Sequence, residues 1–156
     1  MKRFRSPGSL QSWCLKKRLE NNPIALVPTM GFLHAGHVSL IRKARKTAGP
    51  TGIVIVTLYV NPTQFGQGED FDAYPRDLKR DLAICQSEGV NAVFTPSHAS
   101  MYASPYSTYV NETLLSRQWE GIQRPSHFRG VTTIVSKLFL LTQPHVAVFG
   151  EKDFQQ

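Results

Sequence analysis

The feature that most constrains this chain is the run Ile53-Val-Ile-Val-Thr-Leu-Tyr-Val60, apolar and β-branched almost without a break. A strand wetted on one face alternates apolar and polar residues, so an uninterrupted run belongs where both faces are covered. That is the environment of an inner strand in a parallel sheet with helices above and below. The run is far too short for a membrane span, which needs ~20 apolar residues. A strand is predicted over residues 52–60.

The flanking segments supply the helices. Ser6-Pro7-Gly8-Ser9 reads as a helix start and Asn21-Asn22-Pro23 as its stop. Residues 24–27 read as a short strand ending at Pro28. A helix over 36–47 would bury Val38, Leu40, Ile41 and Ala44 until Gly49-Pro50 breaks it. A polar loop with Gly66, Gly68 and three acids follows, then a helix over 75–88 and a strand over 92–94. Residues 97–121 read poorly, with a strand at 106–110 and a short helix at 112–119. A helix over 130–141 and a strand over 146–149 complete the pattern. Strands alternating with helices imply one Rossmann-like α/β domain, residues 1–156, with a parallel sheet covered on both faces.

Composition narrows the function classes. With 41% hydrophobic residues the chain is an ordinary globular one rather than disordered. The net charge of +7 is lopsided: residues 1–50 hold ten Lys or Arg and one acid. Solvated helix faces explain Lys16, Lys17, Arg18 and the 42–46 cluster, although a polyanionic partner fits too. Cys14 and Cys85 have no metal-binding neighbourhood, so reduced thiols and a cytoplasmic setting are expected. The basic opening lacks the apolar region of a secretory signal.

Ligands of such sheets bind at the carboxyl ends of the strands, which directs attention to three loops. The first, Pro28-Thr-Met-Gly-Phe-Leu-His-Ala-Gly-His37, sets two imidazoles around a glycine at a helix start, where unpaired N–H groups hold phosphate. Taken alone, these histidines read equally well as caps. The second, Asn61-Pro-Thr-Gln-Phe65, offers two amides able to grip a small hydroxy acid, or else a plain turn. The third, Phe149-Gly-Glu-Lys-Asp-Phe-Gln-Gln156, offers Lys152 for phosphate oxygens and Gln156 as a further amide. Arg124, His127 and Arg129 gather cationic groups before a helix. His98 and His145 show no partner. Asp77 and Asp81 share a helix face and read as solvated, with Asp81 able to help hold a cation.

Together the blocks Val27-Pro-Thr-Met-Gly-Phe-Leu-His-Ala-Gly-His37, Val60-Asn-Pro-Thr-Gln-Phe65, Tyr74-Pro-Arg76, Arg124-Pro-Ser-His-Phe-Arg-Gly-Val131 and Phe149-Gly-Glu-Lys-Asp-Phe-Gln-Gln156 resemble the pantothenate synthetase (pantoate–β-alanine ligase) family, over nearly the whole chain. HxGH alone marks a wider nucleotidyltransferase superfamily. The resemblance implies a ligase that uses ATP and Mg2+ to condense pantoate with β-alanine through pantoyl adenylate, releasing pyrophosphate and AMP. By position, His34 and His37 contact the phosphates, His37 as proton donor, with Lys152 as the supporting cation. Met30, Gly31, Phe32, Leu33, His34, Ala35, Gly36 and His37 with Gly150, Glu151, Lys152 and Asp153 form the nucleotide site. Gln64 and Gln156 hold pantoate, Gln64 also lies near β-alanine, and Asn61, Arg124 and Met30 line the pocket. A gem-dimethyl group suits Met30 and Phe65. A homodimer is implied, with neither nucleic acid nor membrane as partner.

Two departures stand out. Ser126 replaces an expected small residue such as glycine. Family members also continue past the equivalent of Gln156 into a KMSKS-like closing loop and a C-terminal domain, and no Lys-Met-Ser motif occurs here. The match also begins with the first helix, leaving little room for a presequence. The expectation is a fragment that folds and binds ligands but is poorly active. Rival readings are another HxGH nucleotidyltransferase, a tRNA-binding core like that of a class I synthetase, and an inactive remnant.

Overall fold

The computed structural model describes residues 1–66, 68, 69 and 71–156. Among them, five strands form one parallel sheet: β1 (Lys2–Phe4), β2 (Ile24–Thr29), β3 (Ile53–Leu58), β4 (Ala92–Phe94) and β5 (Val146–Ala147), in the order β1-β4-β3-β2-β5. The helices are α1 (Pro7–Leu19), α2 (Ala35–Ala48), α3 (Leu78–Ser87), α4 (His98–Met101), α5 (Glu120–Gln123) and α6 (His127–Thr142). The expected parallel α/β sheet is therefore present. No helix among the described residues is long and apolar enough to cross a membrane.

The apolar runs are explained by what each face meets. Ile24, Leu26, Ile53 and Ile55 point into a core shared with Leu10 and Cys14 of α1 and Ile134 and Leu138 of α6. Their neighbours Ala25, Val27, Val54 and Val56 point the other way, onto Ile41 and Ala44 of α2 and Cys85 of α3. Both sets are buried, so the period-2 alternation carries no polar residues.

Several boundaries move, each for a local reason. Pro28 does not end β2 but lies inside it. Even-numbered residues of β2 turn their backbone toward β5, as Ile24 and Leu26 accept from His145 and Val148. β5 is only two residues long and pairs no further than Leu26, so the missing N–H of Pro28 costs no ladder bond. The basic opening forms edge strand β1 rather than a free tail, with Arg3 donating to the Thr95 hydroxyl at 3.1 Å. α3 begins at Leu78 because Asp77 caps it, accepting from the Arg80 amide. α6 begins earlier than expected, at His127. The strand expected at 106–110 does not form. Val110 bonds instead to the hydroxyls of Thr132 and Thr133 on α6, and the short helix expected at 112–119 is a 3-10 turn, Leu115–Arg117, followed by α5. Asp70, one of the three loop acids, lies outside the described residues.

Not every basic side chain is free. Arg42 makes a paired bond to Glu88, and Arg45 reaches the carbonyls of Gly52 and Gly89 and the Asn91 side chain. His145 accepts from the Ile24 amide, and His98 meets the Tyr59 hydroxyl, so both have partners after all.

Candidate functional site

The chain order of the strands reverses between β2 and β5: β3 and β4 follow β2 on one side, and β5 returns on the other. Crevices form at such switch points, outside the carboxyl ends of the strands. Here a crevice of about 710 Å³ opens there, within the range of small-molecule sites. Met30, Gly31, Phe32, His34, Gly36, His37, Asn61, Gln64, Arg124, Gly150, Glu151, Lys152, Asp153 and Gln156 all line it, joined by Tyr74, Glu120 and His127. Of the expected nucleotide residues, Leu33 is turned away and fully buried in the core beneath α2.

One end of the crevice is built by a contiguous segment. After β2 the chain turns sharply through Gly31 (φ +91°) and Phe32 (φ +51°), conformations that disfavour side chains. Asp81 of α3 holds this turn: its two oxygens accept from the amides of Phe32 (2.8 Å) and Leu33 (2.7 Å). Asp81 is thus a buried clamp, not the solvated residue of the sequence reading. With both oxygens so engaged it is poorly suited to hold a cation.

His34 then caps α2. Its Nδ1 accepts from the Gly36 amide (3.1 Å), and Nδ1 of His37 accepts from the His34 amide (3.3 Å). Each ring, when neutral, therefore carries its proton on Nε2. The imidazoles lie 4.1 Å apart, centroid to centroid. Burial, then the neighbouring His34 and Lys152, push the pKa of His37 below the ordinary histidine value. The helix N-terminus, two N–H donors and Lys152 thus face one space. Lys152 is itself paired with Asp153, in the 3-10 turn that follows β5.

The other end is assembled from distant segments. Arg124 bonds bidentately to Glu69 (2.5 and 2.7 Å), and to Glu120 (2.8 Å) and the Gln64 carbonyl. That pairing with Arg124 holds Glu69 at a pKa of about 2. Buried His127 places Nδ1 2.9 Å from the same Gln64 carbonyl, which can only accept, so Nδ1 carries the proton. Its Nε2 then accepts from Arg124, so the Gln156 Oε1 that lies 3.3 Å away is a neighbour and not a hydrogen-bond partner. Arg129 is not part of this group; its guanidinium stacks on Tyr109. Gln64 is buried, and among the described residues its Nε2 meets the weak acceptor Sδ of Met30.

Glu69, Glu120, Tyr102 and Gly130 were not legible as site residues. Gly130 carries a signal only in retrospect. A Cβ there would lie 2.3 Å from the Thr63 carbonyl oxygen, so α6 can seat on the 3-10 turn Pro62–Gln64 only through a glycine.

Comparison with known proteins converges on one family. The sequence model of pantoate-beta-alanine ligase matches residues 2–156. Pantothenate synthetases of Geotalea uraniireducens and Aquifex aeolicus are each 51% identical to this chain, over 100% and 98% of it and 54% and 53% of their own lengths. The pantothenate synthetase structure from Thermus thermophilus superposes with a TM-score of 0.88 at 44% identity, covering 99% of this chain and 54% of that one. The Francisella tularensis pantoate-beta-alanine ligase, solved with beta-gamma ATP and beta-alanine, superposes at 0.91 and 38% identity, covering 100% and 59%. The chain spans about half the length of the curated relatives it matches. It belongs to the pantoate-beta-alanine ligase family.

Proposed function

We propose that this chain forms the nucleotide- and pantoate-binding domain of an ATP-dependent pantoate–β-alanine ligase, to which a KMSKS-like closing loop and a C-terminal domain would be added. The carrying observation is that one crevice joins a phosphate-type end, His34 and His37 at the start of α2, to an end of amides and a paired arginine, Gln64, Gln156 and Arg124. The names of the relatives, one of them solved with a nucleotide and β-alanine, support the same substrates.

In this reading the Nε2–H groups of His34 and His37 donate to phosphate oxygens, aided by the positive end of α2 and by Lys152. Gln64 and Gln156 hold pantoate so that a carboxylate oxygen faces the α-phosphorus. That oxygen attacks, pyrophosphate leaves, and pantoyl adenylate forms. The amine of β-alanine then attacks the acyl carbon, loses a proton, and expels AMP. Positioning and charge stabilisation carry most of the catalysis. Magnesium would neutralise the triphosphate. Among the described residues no three metal-ligating side chains stand together, and Asp153 and Glu120 are already engaged by Lys152 and Arg124, so the ion would be held chiefly by the phosphates it arrives with. A homodimer and a cytoplasmic setting complete the reading. Free, buried Cys14 and Cys85, whose pKa values burial pushes to about 12, are in keeping with that setting.

The test is calorimetric titration of the chain with pantoate, MgATP and a non-hydrolysable pantoyl-adenylate mimic. The mimic is expected to bind most tightly. Gln64→Ala should weaken pantoate roughly tenfold, and His37→Ala should weaken MgATP by a similar factor. A folded chain that ignores the mimic would refute the reading.

A further inference from the structure

The amide of Gln64 can be either a donor or an acceptor toward a ligand, and its sense decides which substrate atom it recognises. Three buried contacts settle that sense. The Gly130 carbonyl on α6 can only accept, and it lies 3.1 Å from Asn61 Nδ2. Asn61 must therefore turn its nitrogen toward α6 and its oxygen the other way, where that oxygen accepts from the Tyr102 hydroxyl (2.8 Å) and the Thr63 hydroxyl (3.0 Å). The second hydrogen of Nδ2 meets Gln64 Oε1 at 3.2 Å. The Gln64 oxygen is thus turned toward Asn61, and its Nε2–H group is turned to the crevice, beside Met30. Asn61 is 1% and Tyr102 6% exposed, so no water competes for these bonds.

We propose that Tyr102, which lies behind the crevice wall, is a positioning residue that acts through Asn61 to keep the Nε2–H group of Gln64 turned to the crevice. The group that this N–H recognises is then an acceptor oxygen, a hydroxyl or carboxylate of the hydroxy acid. This inference rests on the function proposed above.

Two readouts on the full 156-residue chain test it. In ¹⁵N-resolved NMR, the Gln64 side-chain NH₂ signals, identified by their loss in Gln64→Ala, should shift in Tyr102→Phe. They should stay put in the control Tyr109→Phe, whose ring stacks on Arg129 instead. Unmoved signals in Tyr102→Phe overturn the relay. In calorimetry, Tyr102→Phe should weaken pantoate roughly fivefold and leave MgATP unchanged. Asn61→Asp keeps the acceptor for Tyr102 but cannot donate to Gln64, and should weaken pantoate on the order of a hundredfold. Equal losses for pantoate and MgATP, with melting temperature preserved, overturn the proposal. A shift in Tyr102→Phe together with a wild-type chain that binds no pantoate keeps the relay and refutes the functional reading instead.

Discussion

The two ends of the crevice are built on opposite plans. At the end proposed for phosphate, the consecutive positions from Pro28 to His37 supply the turn, both imidazoles and the helix start, and one outside residue, Asp81, fixes the turn. At the end proposed for the acid, Gln64 is held through Asn61, Tyr102, Gly130, Arg124 and His127, drawn from well-separated stretches of chain. A local motif depends on backbone geometry and one clamp. A dispersed one depends on every packed contact that brings its parts together.

The comparison is broken most easily at Gly130. Gly130→Ala drives a methyl to 2.3 Å from the Thr63 oxygen and 2.6 Å from Gln64 Cα, backbone that cannot yield cheaply. A loss of about 3 kcal/mol is expected, a fall in Tm of ~5–10 °C. Pantoate binding should suffer and the phosphate end should be spared. Unchanged melting would mean that α6 is not seated on this turn as described.

Asp81→Asn probes the other plan with a smaller effect. One oxygen becomes a donor facing a buried N–H, at a cost of about 2 kcal/mol. Calorimetry should show MgATP weakened more than pantoate, and the reverse order would deny Asp81 its place as the phosphate-end clamp.

The smallest effects lie in pH, where the ends separate by window. The pKa of His37 is depressed in the folded chain, so the unfolded chain takes up the proton first. Stability from this group is present above the ordinary value of 6.5 and is lost as pH falls from there through the lower folded value. Glu69 is likewise depressed, from 4.5 to about 2, chiefly by its bonds to Arg124. Its contribution is present above 4.5 and fades only as pH falls toward about 2. Glu69 is partly exposed, which keeps that contribution small. NMR titration should give a His37 midpoint below 6.5 and a Glu69 midpoint well below 4.5. A His37 midpoint at or above 6.5 would contradict the half-buried imidazole described for it.

What could be read in advance follows the same division. The apolar run of β3, the amphipathic α2 and the HxGH loop are local patterns, and they formed close to where they were expected. The stretch at 97–121 was opaque because its conformation is dictated by partners far along the chain. Val110 bonds to threonines of α6 rather than to a neighbouring strand. Asp81 looked like a surface acid because its spacing fits a helix face equally well wet or buried. Only the approach of the Phe32 and Leu33 amides made it a clamp.

Sequence by itself determined the parallel α/β class, because runs with both faces apolar have no other stable home. It also determined the placing of His34 and His37 at the start of α2, because the cap contacts of both imidazoles are made with neighbours in the chain. Tertiary structure alone decided the length of β2 through Pro28, the burial of Asp81, and the donor sense of Gln64. Each depends on bonds made, or left unneeded, between residues distant in sequence, and spacing along one chain carries no record of such a meeting.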